Sequence, residues 1–473
     1  MLGYTNAALR GVTIVGGALA TPAIYWASYW LFKDQGRTFA RRVGLLAALG
    51  IALSTYFASF SRYGTEHALL PVVELVSVLF LWRGLRQGGW ANFALAGLFI
   101  GISQYVYIVA RFFPVALALA CVGALWANRR LLSRWRGLIL AAILAALVAL
   151  PQWVLFVTHP YTFTARTRQT AGQFVFDLPD PIRTIIAKLK DQLRMLGWHW
   201  ENAYNPFSYK SLLTPLMAAG LVVSAGVAVS KRKASYVFSL IMMVVLLLPD
   251  LLAYEGTAPS ATRLVAALPF IFIMAGLGGA IIWGWIEKRP RIPRWAGYLV
   301  PILVLLSGLY RQWDYTTRVK PQALAAKGLE WQASLVEIAE AEYIASHLDT
   351  PILLPSSEYQ RTPLTFLLAE YFPHRTGGLN EPIEPGEIVT VIQPVEPDRP
   401  TTEGIPSGYI PDEWVLLRDE TAYFLPPIPD SVEPINGESS SLVASNGALA
   451  AEAFSARWQG APPEVISLQA SFA

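Results

Sequence analysis

The stretch "NRRLLSRWRGLILAAILAALVALPQWVLFV" (residues 128–157) joins a basic turn to a long apolar run. From Gly137 to Val157 there is no charged side chain. A helix of that length, rising about 1.5 Å per residue, can cross the roughly 30 Å core of a bilayer. Arginines next to such a segment are typical of turns that stay in the cytoplasm. The stretch therefore predicts a membrane-spanning helix with a basic cytoplasmic end.

The composition extends this prediction to most of the chain. Hydrophobic residues make up 54% of the 473 residues and charged residues only 15%, which is too apolar for a soluble protein of this size. The formal net charge of +4 comes from bases in short turns between apolar segments, so a nucleic-acid partner is not expected. The single cysteine, Cys121, lies inside an apolar run, which excludes a disulfide framework and a thiolate metal site.

Apolar segments that could span the membrane recur along the first two thirds of the chain. They run roughly over 11–32, 43–60, 68–85, 92–110, 112–127, 137–157, 211–230, 234–253, 264–286 and 295–310. Alternate turns between them carry the bases, namely Lys33, Arg37, Arg41 and Arg42; Arg83 and Arg86; Arg129, Arg130, Arg134 and Arg136; Lys231, Arg232 and Lys233; and Lys288, Arg289, Arg291 and Arg294. This alternation predicts about ten spans in the plasma (inner) membrane, with those turns in the cytoplasm. The N-terminus, the loop 158–210 and the C-terminal third are then outside.

The expected fold class is a polytopic all-α membrane protein with a small extracytoplasmic α/β domain. We expect a transmembrane domain over 1–310, the α/β domain over 311–428 and a low-complexity tail, rich in Ser, Gly, Ala and Pro, over 429–473. Within the α/β domain, "PILLPSS" and "EIVTVIQPV" read as strands and "EWVLLRDETAYFLPPI" as a hairpin that turns near Asp419, while "ASLVEIAEAEYIASHL" and "TPLTFLLAEYF" read as helices.

Four arginines lie on the side of the membrane where few basic residues are expected. Arg10, Arg62, Arg111 and Arg263 each lie at the expected outer end of a span. One interpretation is that they are anchors whose stems snorkel toward the interface. The other is that they bind an anionic head group, because the guanidinium fork suits phosphate.

The stretch "YFASFSRYGTEHALLPVVEL" (Tyr56–Leu75) places Arg62, Glu66, His67 and Glu74 between two apolar runs. If the chain is helical from Thr65 onward, Glu66 and Glu74 are about two turns apart and share one face. We then expect this stripe to face an outer cavity, with Arg62 near a lipid phosphate and Glu66 near an incoming acceptor. The alternative is an ordinary loop at the membrane surface.

Polar residues inside the expected spans fall in their outer halves. They are Glu74, Gln104, Gln152 and Asp250. A cavity that opens outward fits this distribution better than an ion-coupled transporter, which would carry charges near the midplane. For Glu74 and Asp250 the alternative is a buried hydrogen bond or an interfacial carboxylate.

The outer loop 158–210 contains an amphipathic helix. Asp180 can cap a helix that begins at Pro181 and stops at Gly197, with one apolar face and an opposite face of Arg183, Lys188, Lys190 and Arg194. We expect this helix to lie in the outer interface as a lid. Just beyond it, "GWHWENAYNP" gathers His199, Glu201 and Asn205 among aromatic side chains. This segment reads either as a sugar-binding platform or as an interfacial aromatic belt.

Four segments, in this order, resemble a known family: "FSRYGTEHALLPVVELVSVLFLWRGL", "FALAGLFIGISQYVYIVARFFPVAL", "HPYTFTARTRQ" and "SATRLVAALPFIFIMAGLGGA". They look like the bacterial branch of the protein O-mannosyltransferase-like glycosyltransferases, which are related to the dolichyl-phosphate-mannose-protein mannosyltransferases. These are polytopic GT-C membrane enzymes that use polyprenyl-phosphate sugars. The resemblance covers roughly residues 3–310 and implies that Arg62, Arg111, Arg166 and Arg263 bind the donor phosphate. It also implies sugar transfer on the extracytoplasmic face to a protein, lipid or glycan, without a nucleotide or redox cofactor. A role for a divalent metal stays open.

The chain departs from this family at its start. Members begin with a further helix and an outer loop that bears the catalytic acid, whereas this chain opens with "MLGYTNAALRG", which resembles the end of that loop. We expect a shortened product; the alternatives are a partner that supplies the missing part or a chain without catalytic activity. Among the residues present, Glu66 and then His67 are the candidates for the catalytic base. Glu74, His199, Glu201 and Asp250 are the candidates for binding acceptor or sugar. The leading alternative function is a non-catalytic subunit that binds or presents a lipid-linked saccharide.

Overall fold

The computed structural model describes residues 6–63, 66–159, 173–174, 178–197, 211–254, 260–319, 343–344, 346–347, 351–355, 388–394, 414–418, 421–425, 432–443 and 449–458. Contacts within the chain divide it into two units. One unit is Arg10–Gln322, and the other combines Met1–Leu9 with Ala323–Ala473.

The larger unit is helical in its described residues. The helices of its first half are α1 (Asn6–Phe32), α2 (Arg37–Ala52), α3 (Thr55–Tyr63), α4 (Leu70–Gln87), α5 (Trp90–Val106), α6 (Phe113–Ala127) and α7 (Trp135–Thr158). Those that follow are α8 (Pro181–Gly197), α9 (Pro215–Lys231), α10 (Ala234–Leu252), α11 (Ala261–Leu264), α12 (Leu268–Glu287) and α13 (Leu299–Asp314). A two-residue antiparallel ladder pairs β1 (Gln173–Phe174) with β2 (Ala253–Tyr254).

Each apolar segment predicted to span the membrane is occupied mainly by helix. The segment 43–60 is divided between α2 and α3, and the segment 92–110 between α5 and a 3-10 helix, Ile108–Phe112. By length and composition, four helical stretches in the described residues could cross a bilayer: Ile108–Ala127, Arg129–Thr158, Ala234–Leu252 and Leu268–Glu287. A bent pair, Arg37–Ala52 with Thr55–Arg62, raises the number to five if it forms one span. The helical character of the predicted spans is therefore confirmed, whereas the count of ten stays a prediction.

The segment 43–60, predicted as one span, is not one straight helix, because the chain bends by 59° between α2 and α3. Leu53 ends α2, and the Ser54 hydroxyl accepts a hydrogen bond from the Phe57 amide at 3.2 Å. A serine hydroxyl that satisfies the first amides of a new helix favours a fresh start over continuation of the old one. The bend carries α3 away from the axis of α2 and gives its aromatic side chains a different direction.

The continuous helix expected from Thr65 is also wrong. Glu66–Ala68 forms a separate 3-10 turn, and α4 begins only at Leu70, with Pro71 in its first turn. Proline lacks an amide hydrogen and is favoured at the first positions of a helix, where no partner is needed. Glu66 and Glu74 therefore do not share one helical face.

Helix α12 is central to the larger unit. Its residues from Leu268 to Ala280 are all buried, and it packs against α2 and α9. The approach to α9 is close because Gly220 has no side chain: a Cβ there would lie 2.6 Å from the carbonyl oxygen of Ala275. Small residues that let two backbones approach are typical of helix contacts in membranes.

The smaller unit contains a six-stranded sheet in its described residues. Its strands are β3 (Ile352–Pro355), β4 (Ile388–Pro394), β5 (Trp414–Arg418), β6 (Thr421–Leu425), β7 (Val432–Val443) and β8 (Leu449–Trp458), in the order β6-β5-β3-β4-β8-β7. The β3 and β4 strands are parallel and the other neighbours are antiparallel. The predicted strands and hairpin are confirmed, with Arg418 opposite Thr421 across the turn. The helix predicted for "TPLTFLLAEYF" lies outside the described residues.

The strands β7 and β8 lie inside the low-complexity tail predicted over 429–473. They pair with each other, and residues 451–457 of β8 pair with β4. The bounds of the tail stay a prediction. Serine and alanine are acceptable in strands that gain their backbone hydrogen bonds from a neighbouring strand, even where composition alone suggests disorder.

Candidate functional site

Asp250 is the centre of a buried polar cluster at the end of the helical unit opposite the basic turns. It lies in the last turn of α10 and is 0% exposed. One carboxylate oxygen accepts a hydrogen bond from Gln192 Nε2 of α8 at 2.8 Å, and the other accepts from the backbone amide of Ser260 at 2.7 Å. Asp250 therefore connects the end of α10 with α8 and with the start of α11.

Lys188 reaches the same place from α8. Its side chain is 1% exposed, and Nζ donates a hydrogen bond to the carbonyl oxygen of Ala253 at 2.7 Å. Ala253 follows the last residue of α10, where the helix dipole favours a cation. Asp250 lies within electrostatic range of both Lys188 and Arg263. We refer to Lys188, Gln192, Asp250 and Arg263 as the outer cluster.

Arg263 belongs to the short helix α11, whose start Asp250 fixes through Ser260. It is 7% exposed. A buried guanidinium with this surrounding is a far more specific feature than an arginine at a lipid interface, because desolvation of a charge must be offset by nearby groups.

Aromatic side chains continue the outer cluster toward α3 and the end of α5. Tyr56 is buried and lies within electrostatic range of Asp250 and Tyr107. The ring of Tyr107 lies 4.2 Å from that of His67, and His67 stacks on Phe60 at 5.1 Å. The predicted base candidate His67 is thus buried between aromatic rings.

Breaks in three helical segments place these residues at one end of the unit. The bend before Thr55 precedes Tyr56, and the 3-10 turn Glu66–Ala68 carries His67. Helix α5 ends at Val106, where Tyr107 adopts an extended conformation, and the buried Gln104 supports this break by donating from Nε2 to the carbonyl oxygen of Ala110 at 2.9 Å. The predicted polar residue Gln104 therefore has a local structural role.

Helix α8 has the bounds predicted from the sequence, and Asp180 accepts a hydrogen bond from the Arg183 amide at 3.3 Å as the expected cap. Of its predicted basic face only Lys188 is buried, whereas Arg183, Lys190 and Arg194 are exposed. The end of the helix is tied to the chain that follows, because Met195 and Leu196 accept hydrogen bonds from the amides of Leu212 and Leu213. Arg311 of α13 in turn donates to the carbonyl oxygen of Ser211 at 2.6 Å.

The other predicted site residues are distributed differently. Arg62 is exposed at the end of α3 and interacts electrostatically with Tyr315. Burial raises the pKa of the Tyr315 phenol, and a hydrogen bond with Ser59 and the charge of Arg62 oppose that shift. Arg111 lies over the ring of Phe156, 4.5 Å from its centroid. Neither arginine is part of the outer cluster.

Glu74 is 0% exposed inside α4, and neither of its carboxylate oxygens has a hydrogen-bond partner among the described residues. Arg166, His199 and Glu201 lie outside the described residues, as does the side chain of Glu66. Within the same described part of the chain, no three His, Cys, Asp or Glu side chains are grouped so that they could hold a metal ion.

Sequence reasoning gave no site role to Gln192 or Tyr56 and placed Lys188 only on the basic face of α8. The signal for α8 was available, since Lys188, Gln192 and Met195 recur at helical spacing on the side away from Ile182 and Ile186. This polar stripe is buried against protein because it contacts residues about sixty positions away in the chain. The helical spacing alone does not predict those contacts.

Comparison with known proteins gives only distant likenesses. No family model matches the chain, and no curated protein matches it. Among solved structures, ArnT from Cupriavidus metallidurans in the apo state is similar at 14% identity and a TM-score of 0.43, over 81% of this chain and 78% of that chain. The structure of the same protein bound to undecaprenyl phosphate has 15% identity and a TM-score of 0.42, over 89% of this chain and 84% of that chain. The oligosaccharyltransferase from Archaeoglobus fulgidus in the apo form has 14% identity and a TM-score of 0.39, over 80% of this chain and 51% of that chain. With identities and TM-scores this low, the likenesses do not assign a function to this chain.

Proposed function

We propose that the protein is a GT-C-type membrane glycosyltransferase that transfers a sugar from a polyprenyl-phosphate donor to an acceptor on the extracytoplasmic face. The observation that carries the proposal is Arg263. It lies in a segment that resembles the O-mannosyltransferase-like family, and it is buried, within electrostatic range of Asp250, at the end of the unit opposite the basic turns. A buried guanidinium at that end is suited to the phosphate of a lipid donor.

The reaction needs little more than positioned charges. An acceptor hydroxyl or amine attacks the anomeric carbon, the bond from that carbon to the phosphate oxygen breaks, and the phosphate leaves with the electron pair. A base takes the acceptor proton, and cations stabilise the negative charge that collects on the departing phosphate. In this proposal Arg62, Arg111, Arg166 and Arg263 serve the phosphate, and Glu66 or His67 is the base.

Recognition of sugar and acceptor is assigned to Glu74, His199, Glu201 and Asp250. Glu74 and Asp250 are fully buried, so a sugar hydroxyl would reach either carboxylate only after the surrounding elements separate. The proposal places the sheet-containing unit, with predicted bounds 311–428, on the extracytoplasmic side, where it would support acceptor binding.

The test is donor binding by the full chain in detergent. Arg263→Ala should weaken binding of a polyprenyl phosphate at least about tenfold, because loss of a buried charged contact commonly costs about 2–5 kcal/mol. Arg263→Lys keeps the charge but not the forked guanidinium, so its affinity for the polyprenyl phosphate should lie between those of Arg263→Ala and the parent protein. Arg134→Ala, in the basic turn Arg129–Arg134 at the other end, is the matched control and should bind like the parent. Equal affinity of all four proteins would reduce Arg263 to an anchor.

A subunit that binds a lipid-linked saccharide without transferring it is the second candidate. It is favoured by the burial of the base candidate His67 between the rings of Phe60 and Tyr107. This alternative predicts donor binding that depends on Arg263 together with the absence of sugar transfer to any acceptor offered.

A further inference from the structure

The exposed side of α8 is apolar. Ile182 is 72% exposed, and Ile186 and Leu193 are each 61% exposed, whereas Lys188 and Gln192 on the other side are buried. A helix that buries a lysine and presents isoleucines outward would be unfavourable in water, because exposed apolar surface of this kind is costly unless something covers it.

Bases border this apolar side. Ile186, Leu189, Lys190, Leu193 and Arg194 form one open patch on the surface of α8. Lys190 is exposed, and Arg194 makes a long, exposed contact of 3.4 Å with Asp191 one turn before it. An apolar floor beside cationic side chains matches a phospholipid with an anionic head group.

The position of α8 in the fold agrees with this occupant. Its buried side contacts the neighbouring helices α9 and α10, and Lys188 holds the carbonyl of Ala253 just past the end of α10, one of the helices long and apolar enough to cross a bilayer. The exposed side of α8 therefore lies at the end of an apolar helix. If α10 crosses the bilayer, that end is where the head groups and acyl chains of a leaflet meet.

We propose that the exposed face of α8, defined by Ile182, Ile186, Leu189, Lys190, Leu193 and Arg194, binds the phospholipids of one leaflet and selects anionic ones. The isoleucines and leucines enter the acyl boundary, and Lys190 and Arg194 bind the phosphate of an anionic phospholipid. The buried stripe of the same helix holds the outer cluster in place. This lipid-binding role is independent of sugar transfer.

The test places a reporter on the face itself. The full-length Cys121→Ser, Ile186→Cys protein is labelled with an environment-sensitive fluorophore and reconstituted in phosphatidylcholine vesicles with or without phosphatidylglycerol. Brominated phosphatidylglycerol should quench the fluorophore more strongly than brominated phosphatidylcholine. Each base should contribute about fivefold to the local enrichment, which corresponds to roughly 1 kcal/mol per Lys or Arg near an anionic surface.

The double variant Lys190→Gln, Arg194→Gln in this background should lose the preference and still be quenched by both lipids. The matched control is Arg129→Gln, Arg130→Gln, which removes two exposed bases from the opposite end and should leave the preference at position 186 unchanged. Equal quenching by the two lipids in the parent would overturn the selectivity. Emission typical of water from the labelled protein, or disulfide formation between copies of the unlabelled Ile186→Cys protein, would overturn lipid as the occupant.

Discussion

At the scale of single residues, α8 buries Lys188 and exposes Ile182 and Ile186. The contacts of these side chains explain this orientation. The Lys188 ammonium finds the carbonyl of Ala253 at the negative end of α10, with Asp250 close by, so its burial is offset by charge and hydrogen bonding. The isoleucines find no comparable partner inside the described unit, and their exposure costs little if lipid covers them.

Asp250→Ala tests whether the outer cluster stabilises the fold. The substitution removes the acceptor for Gln192 and for the Ser260 amide, and a hydrogen bond to a charged group is commonly worth about 1.5–3 kcal/mol. We expect a clear loss in the free energy of unfolding, measured by denaturant titration of the detergent-solubilised protein. Asp191→Ala is the matched control on α8, since its partner Arg194 is exposed and such pairs contribute at most about 1 kcal/mol. Similar losses in the two variants would contradict a central role for Asp250.

At the scale of elements, the contact between α9 and α12 depends on the absence of side chains. Gly220 faces the carbonyl of Ala275, so the two helices approach through backbone, whereas the breaks before Thr55 and after Val106 direct aromatic side chains to the outer cluster. The buried central helix and its broken neighbours together define the end of the unit where the outer cluster lies.

Gly220→Leu should force α9 and α12 apart. Overpacking of this kind typically costs about 1–3 kcal/mol, and here the obstacle is backbone, which cannot rotate away. We expect a lower thermal unfolding temperature for the detergent-solubilised protein. Gly226→Leu lies on the same helix with open space around it and should unfold like the parent. Equal destabilisation by both variants would show that the leucine acts through α9 alone.

At the scale of the whole molecule, the basic turns and the outer cluster lie at opposite ends of the helical unit. The turn Arg129–Arg134 joins α6 to α7, and Lys231–Lys233 joins α9 to α10, whereas Asp250 is at the far end of α10. Positively charged turns favour the cytoplasmic side, so the outer cluster is expected on the extracytoplasmic side.

Single cysteines in a Cys121→Ser background test this orientation in intact cells. Cysteines at Arg134 and at Lys231 should resist an impermeant thiol reagent, and one at Arg183 should react; all three positions are exposed in the structure. Permeabilised cells provide the control, in which all three should be labelled. Labelling of the two basic turns with protection of position 183 in intact cells would reverse the orientation and place the outer cluster in the cytoplasm.

The sequence by itself determined the features that depend on neighbouring residues. Apolar runs gave the helices, Asp180 and Gly197 gave the ends of α8, and alternation around Asp419 gave the hairpin of β5 and β6. The reason is that solvation, capping and turn formation act within a few residues.

Only the tertiary structure decided which side of α8 is buried, where the helices after Ala52 and before Leu70 break, and that Lys188 and Arg263 lie within electrostatic range of Asp250. These outcomes depend on contacts between residues far apart in the chain, such as Lys188 with Ala253 and Gln192 with Asp250. A buried charge is stable only where such distant groups offset its loss of hydration. The amphipathic pattern of α8 defines a polar and an apolar side but does not determine which of them is buried. The packing of α9 and α10 against the polar stripe determines that the Lys188 side is buried.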